Sequence, residues 1–284
     1  MRSWSCLVAP FVAIMLAVGA ASALELPELA EQTKPSVVHL EVVDAAGDVT
    51  GSGTGFFVSP DRIVTNDHVV ADAAGVRAKL TDGEVVDLAG TLATDADRDL
   101  AILALPPGVS GPAPLRLGDS SALRQGDEVV VIGSPRGLAG TLSVGIVSAL
   151  RGEGLARDGE KAAPGDRRAT GAWAIQITAA ISPGSSGSPI MTREGDVVAV
   201  AVGILTGGAN IGFGVPIDEV KTLLRRIGPD ARPTPFADAG DGDVLRNLIV
   251  SGVFFGLIGA AYAWSRYRDR PRRTKGRGPR PSRG

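Results

Sequence analysis

Short apolar runs separated by glycine, proline and acidic residues make up most of the sequence between residues 36 and 216. The runs are rich in Val, Ile, Leu and Phe and span about four to ten residues, which is typical of β-strands. One set of six runs comprises residues 36–43, 51–58, 61–65, 76–80, 85–94 and 100–105. A second set comprises residues 129–132, 141–150, 173–178, 188–191, 197–206 and 211–216. The pattern predicts an all-β body in two halves, each with enough strands to close a small barrel.

The segments around these strands predict the other elements of the body. Residues 106–126 are rich in Pro, Gly and Ser, which is typical of a linker between two halves. Apolar residues recur at helical spacing in residues 217–227, which predicts a short amphipathic helix that closes the body. Residues 24–34 are interpreted as a short helical or irregular segment. Residues 151–171 form a long charged loop, a feature typical of a lid, a regulatory element or a disordered insertion.

The N-terminal residues 1–23 have the pattern of a secretory signal peptide. Arg2 precedes an apolar run over residues 7–20, and the small residues Ala-Ser-Ala close the segment. The alternative is a buried N-terminal helix. The sole cysteine, Cys6, lies in this segment, so the mature chain is expected to have no disulfide.

A second hydrophobic segment lies near the C-terminus. Residues 248–264 carry no charge, and Tyr262 and Trp264 stand where aromatic residues meet a membrane interface. The sequence predicts a transmembrane helix over residues 244–264, joined to the body by a flexible linker at residues 228–243. A buried C-terminal helix followed by a disordered tail is the alternative.

The last residues, 265–284, contain nine Lys or Arg and one acid, Asp269. Basic residues beside a membrane span favour the cytoplasmic side, so the tail is expected in the cytoplasm and the body in the periplasm or outside the cell. The span is also open to a second interpretation, as a sorting signal that is removed.

Charge and composition exclude several classes of function. The segment from Leu24 to Asp243 has 18 Lys and Arg against 30 Asp and Glu, and this acidic balance argues against nucleic-acid binding. The two histidines, His39 and His68, are far apart in sequence, and Cys6 lies in the predicted signal peptide, so neither a metal site nor another cofactor is expected. His39 is interpreted as an ordinary strand residue.

Candidate chemistry centres on Ser186, which lies in the glycine-rich turn of residues 183–189 between two predicted strands. By itself such a turn is equally typical of a surface loop. Two stretches upstream favour a catalytic role: His68 follows a predicted strand, and the acidic residues 95–99 precede another. A histidine, an aspartate and a serine are the groups that activate a hydroxyl nucleophile.

Seven short motifs together carry a family resemblance. They are residues 52–56, 65–69, 99–101, 132–137, 145–148, 184–189 and 211–216. In this order and spacing they resemble the protease domain of the HtrA/Deg group of trypsin-like serine proteases, over residues 35–227. The resemblance implies two six-stranded antiparallel β-barrels, about residues 24–109 and 127–227, with the active site in the cleft between them.

The resemblance also implies the catalytic residues. His68 and Asp99 would come from the first barrel and Ser186 from the second. Asp95 and Asp97 are near neighbours of Asp99, which is preferred because it matches the family position and directly precedes the predicted strand at residues 100–105. His68 would take the proton of the serine, and Asp99 would orient the imidazole.

The backbone N–H groups of Gly184 and Ser186 are the expected oxyanion hole, since glycine adopts the backbone angles that such a turn requires. Members of the group usually have Asn where this chain has Ser185 and Gly where it has Ser188. These departures leave the triad intact and affect how well the hole is formed.

The resemblance implies a substrate pocket with six lining residues: Ala180, Ala201, Val202, Gly203, Ile211 and Phe213. Because no acid occupies position 180, a small or apolar substrate side chain is expected rather than Lys or Arg. The linker at residues 228–243 is too short for the PDZ domain that many members carry. PDZ-mediated recruitment and the trimeric assembly of the group are therefore not carried over, and the oligomeric state stays open.

These features lead to two hypotheses. The first is a membrane-tethered serine endopeptidase that cleaves unfolded or extended segments of exported or envelope proteins through an acyl-enzyme. The second is a binding or chaperone-like module on the protease fold, with latent or dispensable catalytic activity.

Overall fold

The structure is a computed structural model that describes residues 23–152, 172–204 and 211–236. The predicted signal peptide, apart from Ala23, the predicted transmembrane helix and the basic tail lie outside the described residues. Residues 153–171 of the charged loop and the second part of the predicted linker also lie outside them. Among the described residues, every helix is too short or too polar to cross a membrane.

The first half contains two helices and seven strands, and the second half six strands and one helix. In chain order the first half has α1 (Leu26–Thr33), β1 (Val37–Val43), β2 (Val49–Ser59), β3 (Arg62–Thr65), α2 (Asp67–Val70), β4 (Gly75–Lys79), β5 (Val85–Asp87), β6 (Gly90–Asp95) and β7 (Leu100–Ala104). The second half has β8 (Glu128–Gly133), β9 (Thr141–Gly152), β10 (Ala172–Ile177), β11 (Pro189–Met191), β12 (Val197–Ile204), β13 (Gly212–Pro216) and α3 (Ile217–Arg225). Short 3-10 turns lie at Lys34–Ser36, Ser120–Ala122 and Pro135–Gly137.

The first half corrects the prediction of a six-stranded barrel. Its strands form one antiparallel sheet in the order β5-β4-β1-β2-β3-β7-β6, a half-barrel with two edges. The single strand predicted at residues 85–94 is divided into β5 and β6, because Leu88 donates its N–H to Val76 in β4 while Ala89 donates to Ala104 in β7. Two successive residues therefore bond to strands on opposite sides of the sheet, which ends one strand and begins the next.

The second half is a closed barrel of six strands in the order β10-β13-β12-β11-β8-β9, which confirms the prediction for this half. All of its strand pairs are antiparallel. The buried runs of β8 and β12 explain why the apolar pattern identified these strands, since nearly every described side chain in them is enclosed. The nucleophile candidate lies in the connection between β10 and β11.

Buried side chains hold the two halves together as one body. One apolar cluster fills the half-barrel around Leu40, Phe57 and Leu103, and another fills the closed barrel around Ile175 and Ile190. A third cluster joins the halves and includes the neighbours of those residues on the opposite strand faces. Its members include Phe56, Ile102, Val130, Ile132, Met191 and Val200, together with residues of α1 and α3. Because both faces of β2 and β7 are buried, the cleft between the halves has fixed walls.

The amphipathic helix predicted at the end of the body is α3, which buries Ile217, Val220 and Leu223. After it, the first part of the predicted linker returns to the half-barrel, where Thr234 exchanges two backbone hydrogen bonds with Thr91 in β6, at 2.8 and 2.9 Å. Gly90 permits this approach, because a Cβ at that position would lie 2.1 Å from the carbonyl oxygen of Thr234.

Candidate active site

His68 lies in α2, a single helical turn that directly follows β3. The preceding residue, Asn66, has extended backbone angles and is fully buried, so the chain turns sharply from strand to helix at this point. The imidazole is 35% exposed and faces the cleft side of the half-barrel. The sequence pattern did not predict α2 as a helix.

Asp99 contacts His68 through both of its carboxylate oxygens. Its Oδ2 lies 2.7 Å from Nδ1 of the imidazole, and its Oδ1 accepts a hydrogen bond from the backbone N–H of His68 at 2.9 Å. Because a carboxylate only accepts hydrogen bonds, Nδ1 carries the hydrogen and Nε2 keeps a free lone pair. This is the tautomer that a general base for a hydroxyl group requires.

The backbone of Asp99 explains why this aspartate reaches the imidazole. Its φ is +54°, and among the described residues it is the one non-glycine residue in the left-handed region. The side-chain amide of Asn66 donates a hydrogen bond of 2.8 Å to the Asp99 carbonyl oxygen and so supports this conformation. Asp95 instead pairs with Arg226 at 3.2 Å, and Asp97 is exposed to solvent, so neither competes with Asp99 for His68.

Ser186 lies in the turn before β11, and its hydroxyl points away from the imidazole. Its Oγ donates a hydrogen bond of 3.1 Å to the carbonyl oxygen of Val202 in β12, and no described hydrogen bond joins it to His68. The two elements are nevertheless neighbours. A Cβ on Gly53 would lie 2.6 Å from Val69 Cγ1, next to His68, and 3.4 Å from the carbonyl oxygen of Ser186.

The backbone of the same turn presents two N–H groups without an acceptor. Gly184 has a φ of +92°, in the region that favours glycine. Within the described part of the chain, the N–H groups of Gly184 and Ser186 donate no hydrogen bond, whereas the residues between and after them are paired: Ser185 donates to Ser182 at 2.9 Å and Gly187 to Ala201 at 2.8 Å. The two N–H groups predicted to form an oxyanion hole are therefore available to a ligand.

The two serines that depart from the family pattern are both enclosed. The hydroxyl of Ser185 accepts a long hydrogen bond of 3.4 Å from the backbone N–H of Ser182. Ser188 is fully buried, and its hydroxyl has no hydrogen-bond partner among the described residues. Gly133 makes room for it, since a Cβ there would lie 2.1 Å from Ser188 Oγ.

The residues predicted to line a substrate pocket lie on several elements. Ala201 and Val202 are buried in β12, where Val202 also accepts the Ser186 hydrogen bond, and Gly203 pairs with Phe213 in β13. Ala180 is exposed in the turn after β10, and its carbonyl oxygen accepts a hydrogen bond of 2.9 Å from Ser143 Oγ. Ile211 is partly buried at the start of the described segment before β13. The pocket assignment stays a prediction.

Two further residues of the site were not predicted from the sequence. Asp67 is half-buried beside His68, and burial, followed by the nearby Asp99 charge, raises its pKa to about 6. Thr54 is fully buried in β2 and hydrogen-bonds to the turn that carries Ser186. The only local signal for Thr54 is a hydroxyl residue between two glycines, Gly53 and Gly55, in a strand where side chains approach closely.

Comparison with known proteins places this geometry in a family context. Residues 53–200 match the family described as Trypsin-like peptidase domain. The chain is 32% identical over 241 residues to "Protease Do-like 1, chloroplastic" of Arabidopsis thaliana, covering 79% of this chain and 53% of that protein. It is 35% identical over 208 residues to "Serine protease HTRA2, mitochondrial" of Bos taurus, covering 71% and 43%.

A bacterial relative has a similar level of identity. "Probable periplasmic serine endoprotease DegP-like" of Bartonella henselae is 38% identical over 181 residues, which cover 62% of this chain and 33% of that protein. The matched part thus spans about half or less of each of these three relatives.

Proposed function

Since the chain belongs to the trypsin-like peptidase family, we propose that it is a membrane-tethered serine endopeptidase of the HtrA/Deg type, with His68, Asp99 and Ser186 as its catalytic triad. The observation that carries the proposal is the double contact between the Asp99 carboxylate and His68, at 2.7 and 2.9 Å, beside the turn of Ser186. This contact leaves Nε2 of the imidazole able to accept a proton.

The first step is attack by Ser186 on the carbonyl carbon of the scissile peptide. The hydroxyl must first leave the Val202 carbonyl oxygen by rotation about χ1 and turn towards Nε2 of His68. As the Oγ–carbon bond forms, the hydroxyl proton passes to Nε2, and the carbonyl oxygen becomes an oxyanion that the N–H groups of Gly184 and Ser186 stabilise.

The second step releases the first product and then the second. His68 returns its proton to the amine of the leaving segment, the carbon–nitrogen bond breaks, and Ser186 carries an acyl group. Water then attacks the acyl carbon while His68 accepts its proton, which frees the new carboxylic acid and restores the serine. Throughout, Asp99 stabilises the imidazolium without taking the proton.

We propose unfolded or extended polypeptides of exported or envelope proteins as substrates. An extended chain reaches a cleft between two walls more readily than a folded one, and the apolar Ala180, Val202 and Phe213 favour a small or apolar side chain before the scissile bond. The predicted signal peptide and transmembrane helix support a body in the periplasm or outside the cell, with the C-terminal tail in the cytoplasm. The name of the Bartonella relative, which includes "periplasmic", agrees with this location.

One observation favours the second hypothesis, a binding or chaperone-like module with latent or dispensable activity. The hydroxyl of Ser186 is bonded to Val202 rather than to His68, which is a resting arrangement in which no proton can pass. The hypothesis predicts that Ser186→Ala leaves the cellular role of the protein intact.

The proposed function is tested by incubating the full-length chain with an unfolded protein that carries a quenched fluorophore. The wild type is expected to release fluorescence, and Ser186→Ala is expected to lower the rate by at least about 10³-fold. Ser185→Ala is the matched control, since it removes the neighbouring hydroxyl and is expected to keep most of the activity. Cleavage that survives in Ser186→Ala contradicts the proposal, as does a folded wild type that cleaves no unfolded protein.

A further inference from the structure

Thr54 of the half-barrel is bonded to the turn that carries the nucleophile. Building on the proposed function, we propose that the Thr54 hydroxyl is a positioning group: it holds the turn in the conformation in which the N–H groups of Gly184 and Ser186 together form the oxyanion hole. Thr54 lies in β2 and contributes no atom to the reaction itself.

The side chain of Thr54 is fully buried and makes two hydrogen bonds. Its Oγ donates to the carbonyl oxygen of Gly184 at 2.7 Å and accepts from the backbone N–H of Ser134 at 3.0 Å. A hydroxyl is the smallest side-chain group that both donates and accepts at one atom. Thr54 therefore links β2, the turn after β8 and the nucleophile turn.

The backbone of Thr54 adds two more contacts at the same place. Its N–H donates to the carbonyl oxygen of Ser186 at 2.8 Å, and its own carbonyl oxygen accepts a hydrogen bond of 2.7 Å from Thr65 Oγ1 in β3. Thr65 is fully buried and lies three residues before His68. The contacts of Thr54 thus connect the strand that precedes the general base with the turn of the nucleophile.

The Gly184 bond bears on catalysis because of the order of peptide groups in the turn. The two oxyanion N–H groups belong to the 183–184 and 185–186 peptides, and the 184–185 peptide lies between them. The orientation of that middle peptide is fixed at one side by the Ser185 N–H bond to Ser182, within the turn, and at the other by Thr54 Oγ, from outside it. A rotation of the middle peptide would turn the two N–H groups away from each other.

Gly184 is sensitive to loss of this bond. Its φ of +92° lies in a region where glycine moves with little steric restraint. Without the Thr54 hydroxyl, the Gly184 carbonyl oxygen would be left without its described donor and would reorient towards another one or towards solvent. The expected consequence is weaker stabilisation of the tetrahedral oxyanion, with little change in ground-state binding of the substrate.

The test compares Thr54→Val, which keeps the shape and removes the hydroxyl, with Thr54→Ser, which keeps the hydroxyl. Thr33→Val is the matched control, because Thr33 is also buried and its hydroxyl donates to a backbone carbonyl oxygen, that of Leu29 at 2.6 Å, in α1 away from the site. For each full-length variant, kcat and KM on a peptide substrate are measured at a temperature at which circular dichroism shows a folded chain.

A peptide aldehyde provides the second readout. Ser186 Oγ adds to the aldehyde carbon and the hydroxyl proton moves to the hemiacetal through His68, so the adduct oxygen occupies the oxyanion hole. Thr54→Val is expected to lower kcat by about 10- to 100-fold, less than complete loss of a donor, and to weaken the aldehyde by a similar factor while KM changes by less than about threefold. Thr54→Ser and Thr33→Val are expected to stay within about threefold of the wild-type kcat.

Thr54→Val that keeps the wild-type kcat and aldehyde affinity overturns the inference, and so does a loss that appears only in KM or equally in Thr33→Val. Should Thr54→Val fail to fold, Thr54→Ala and Thr54→Ser differ by the hydroxyl alone, and equal kcat in that pair overturns the inference. A folded wild type that cleaves nothing and forms no aldehyde adduct overturns the proposed function together with this inference. Full activity in the wild type and in Thr54→Val overturns the inference alone.

Discussion

The carboxylate of Asp99 binds His68 at two points, with Oδ2 2.7 Å from the imidazole Nδ1 and Oδ1 2.9 Å from the backbone nitrogen. The first contact selects the tautomer of the imidazole, and the second fixes the start of the helical turn that carries it. One side chain therefore sets both the protonation pattern and the position of the proposed general base.

Replacing Asp99 by Asn tests this double role. Asn has the same shape, but its amide donates where the carboxylate accepts, so the imidazole is held in the wrong tautomer. We expect kcat to fall by about 10³- to 10⁴-fold with a small change in KM. Asp97→Asn is the control, because Asp97 is exposed two residues away and is expected to leave kcat unchanged. Similar kinetics in both variants would refute the role of Asp99.

Asn66 is expected to act through Asp99. Its amide holds the Asp99 carbonyl oxygen at 2.8 Å, where the backbone has a φ of +54°. Asn66→Ala should lower kcat by about 10-fold and reduce the free energy of unfolding by about 1–2 kcal/mol, since a buried hydrogen bond is lost. In an Asp99→Ala background the same change should leave kcat unaffected. An equal loss in both backgrounds would show that Asn66 acts elsewhere.

Gly53 lies between the elements of His68 and Ser186, and a side chain there is expected to separate them. A Cβ would lie 2.6 Å from Val69 Cγ1, closer than atoms of this kind pack, whereas a Cβ on Gly51 in the same strand would lie 3.6 Å from Val42 Cβ. We predict that Gly53→Ala lowers kcat/KM by at least about 10-fold and that Gly51→Ala stays within about twofold. Steady-state kinetics on both variants decides this, and equal activities would contradict it.

Asp67 is expected to make stability depend on pH. Burial and the Asp99 charge raise its folded-state pKa from 3.8 to about 6, so the stabilisation from its bound proton is complete below pH 3.8 and is lost as the pH rises through about 6. The Asp67→Asn variant does not titrate at this position. Its free energy of unfolding relative to wild type should therefore increase between pH 4 and pH 7, by about 1 kcal/mol once partial solvent exposure is allowed for.

Urea unfolding of both proteins at several pH values in this range measures the difference. The proposed pKa of Asp67 would be wrong if the difference between the two proteins were the same at pH 4 and at pH 7.

The strands of the closed barrel were predictable because their apolar runs are buried. Those of β8 and β12 differ from the predicted ranges by one residue or less where the structure describes both ends that were compared. The single strand expected at residues 85–94 was wrong, because the division depends on Leu88 and Ala89 bonding to different strands. No local signal in the sequence reveals which distant strand accepts a hydrogen bond. The same holds for α2, whose four residues are too few for a helical pattern to be visible.

The site shows the same limit. The residue types and motifs identified His68, Asp99 and Ser186 as candidates, because each lies at the end of an apolar run. The partners that determine their geometry come from distant positions: Thr54 is 130 residues from Gly184, and Val202 accepts the Ser186 hydroxyl across two strands. The raised pKa of Asp67 likewise depends on burial by the folded chain. Such contacts follow from tertiary structure, which a motif does not specify.

The central claim, that Ser186 is a nucleophile activated by His68, is tested most directly by a fluorophosphonate that forms a stable bond with an activated serine hydroxyl. The full-length protein is treated with the reagent, and the modified residue is located by mass spectrometry. The account predicts one adduct per chain, on Ser186, which is absent in Ser186→Ala and strongly slowed in His68→Ala. A folded wild-type chain that forms no adduct on Ser186, or that reacts there at the same rate without His68, would contradict it.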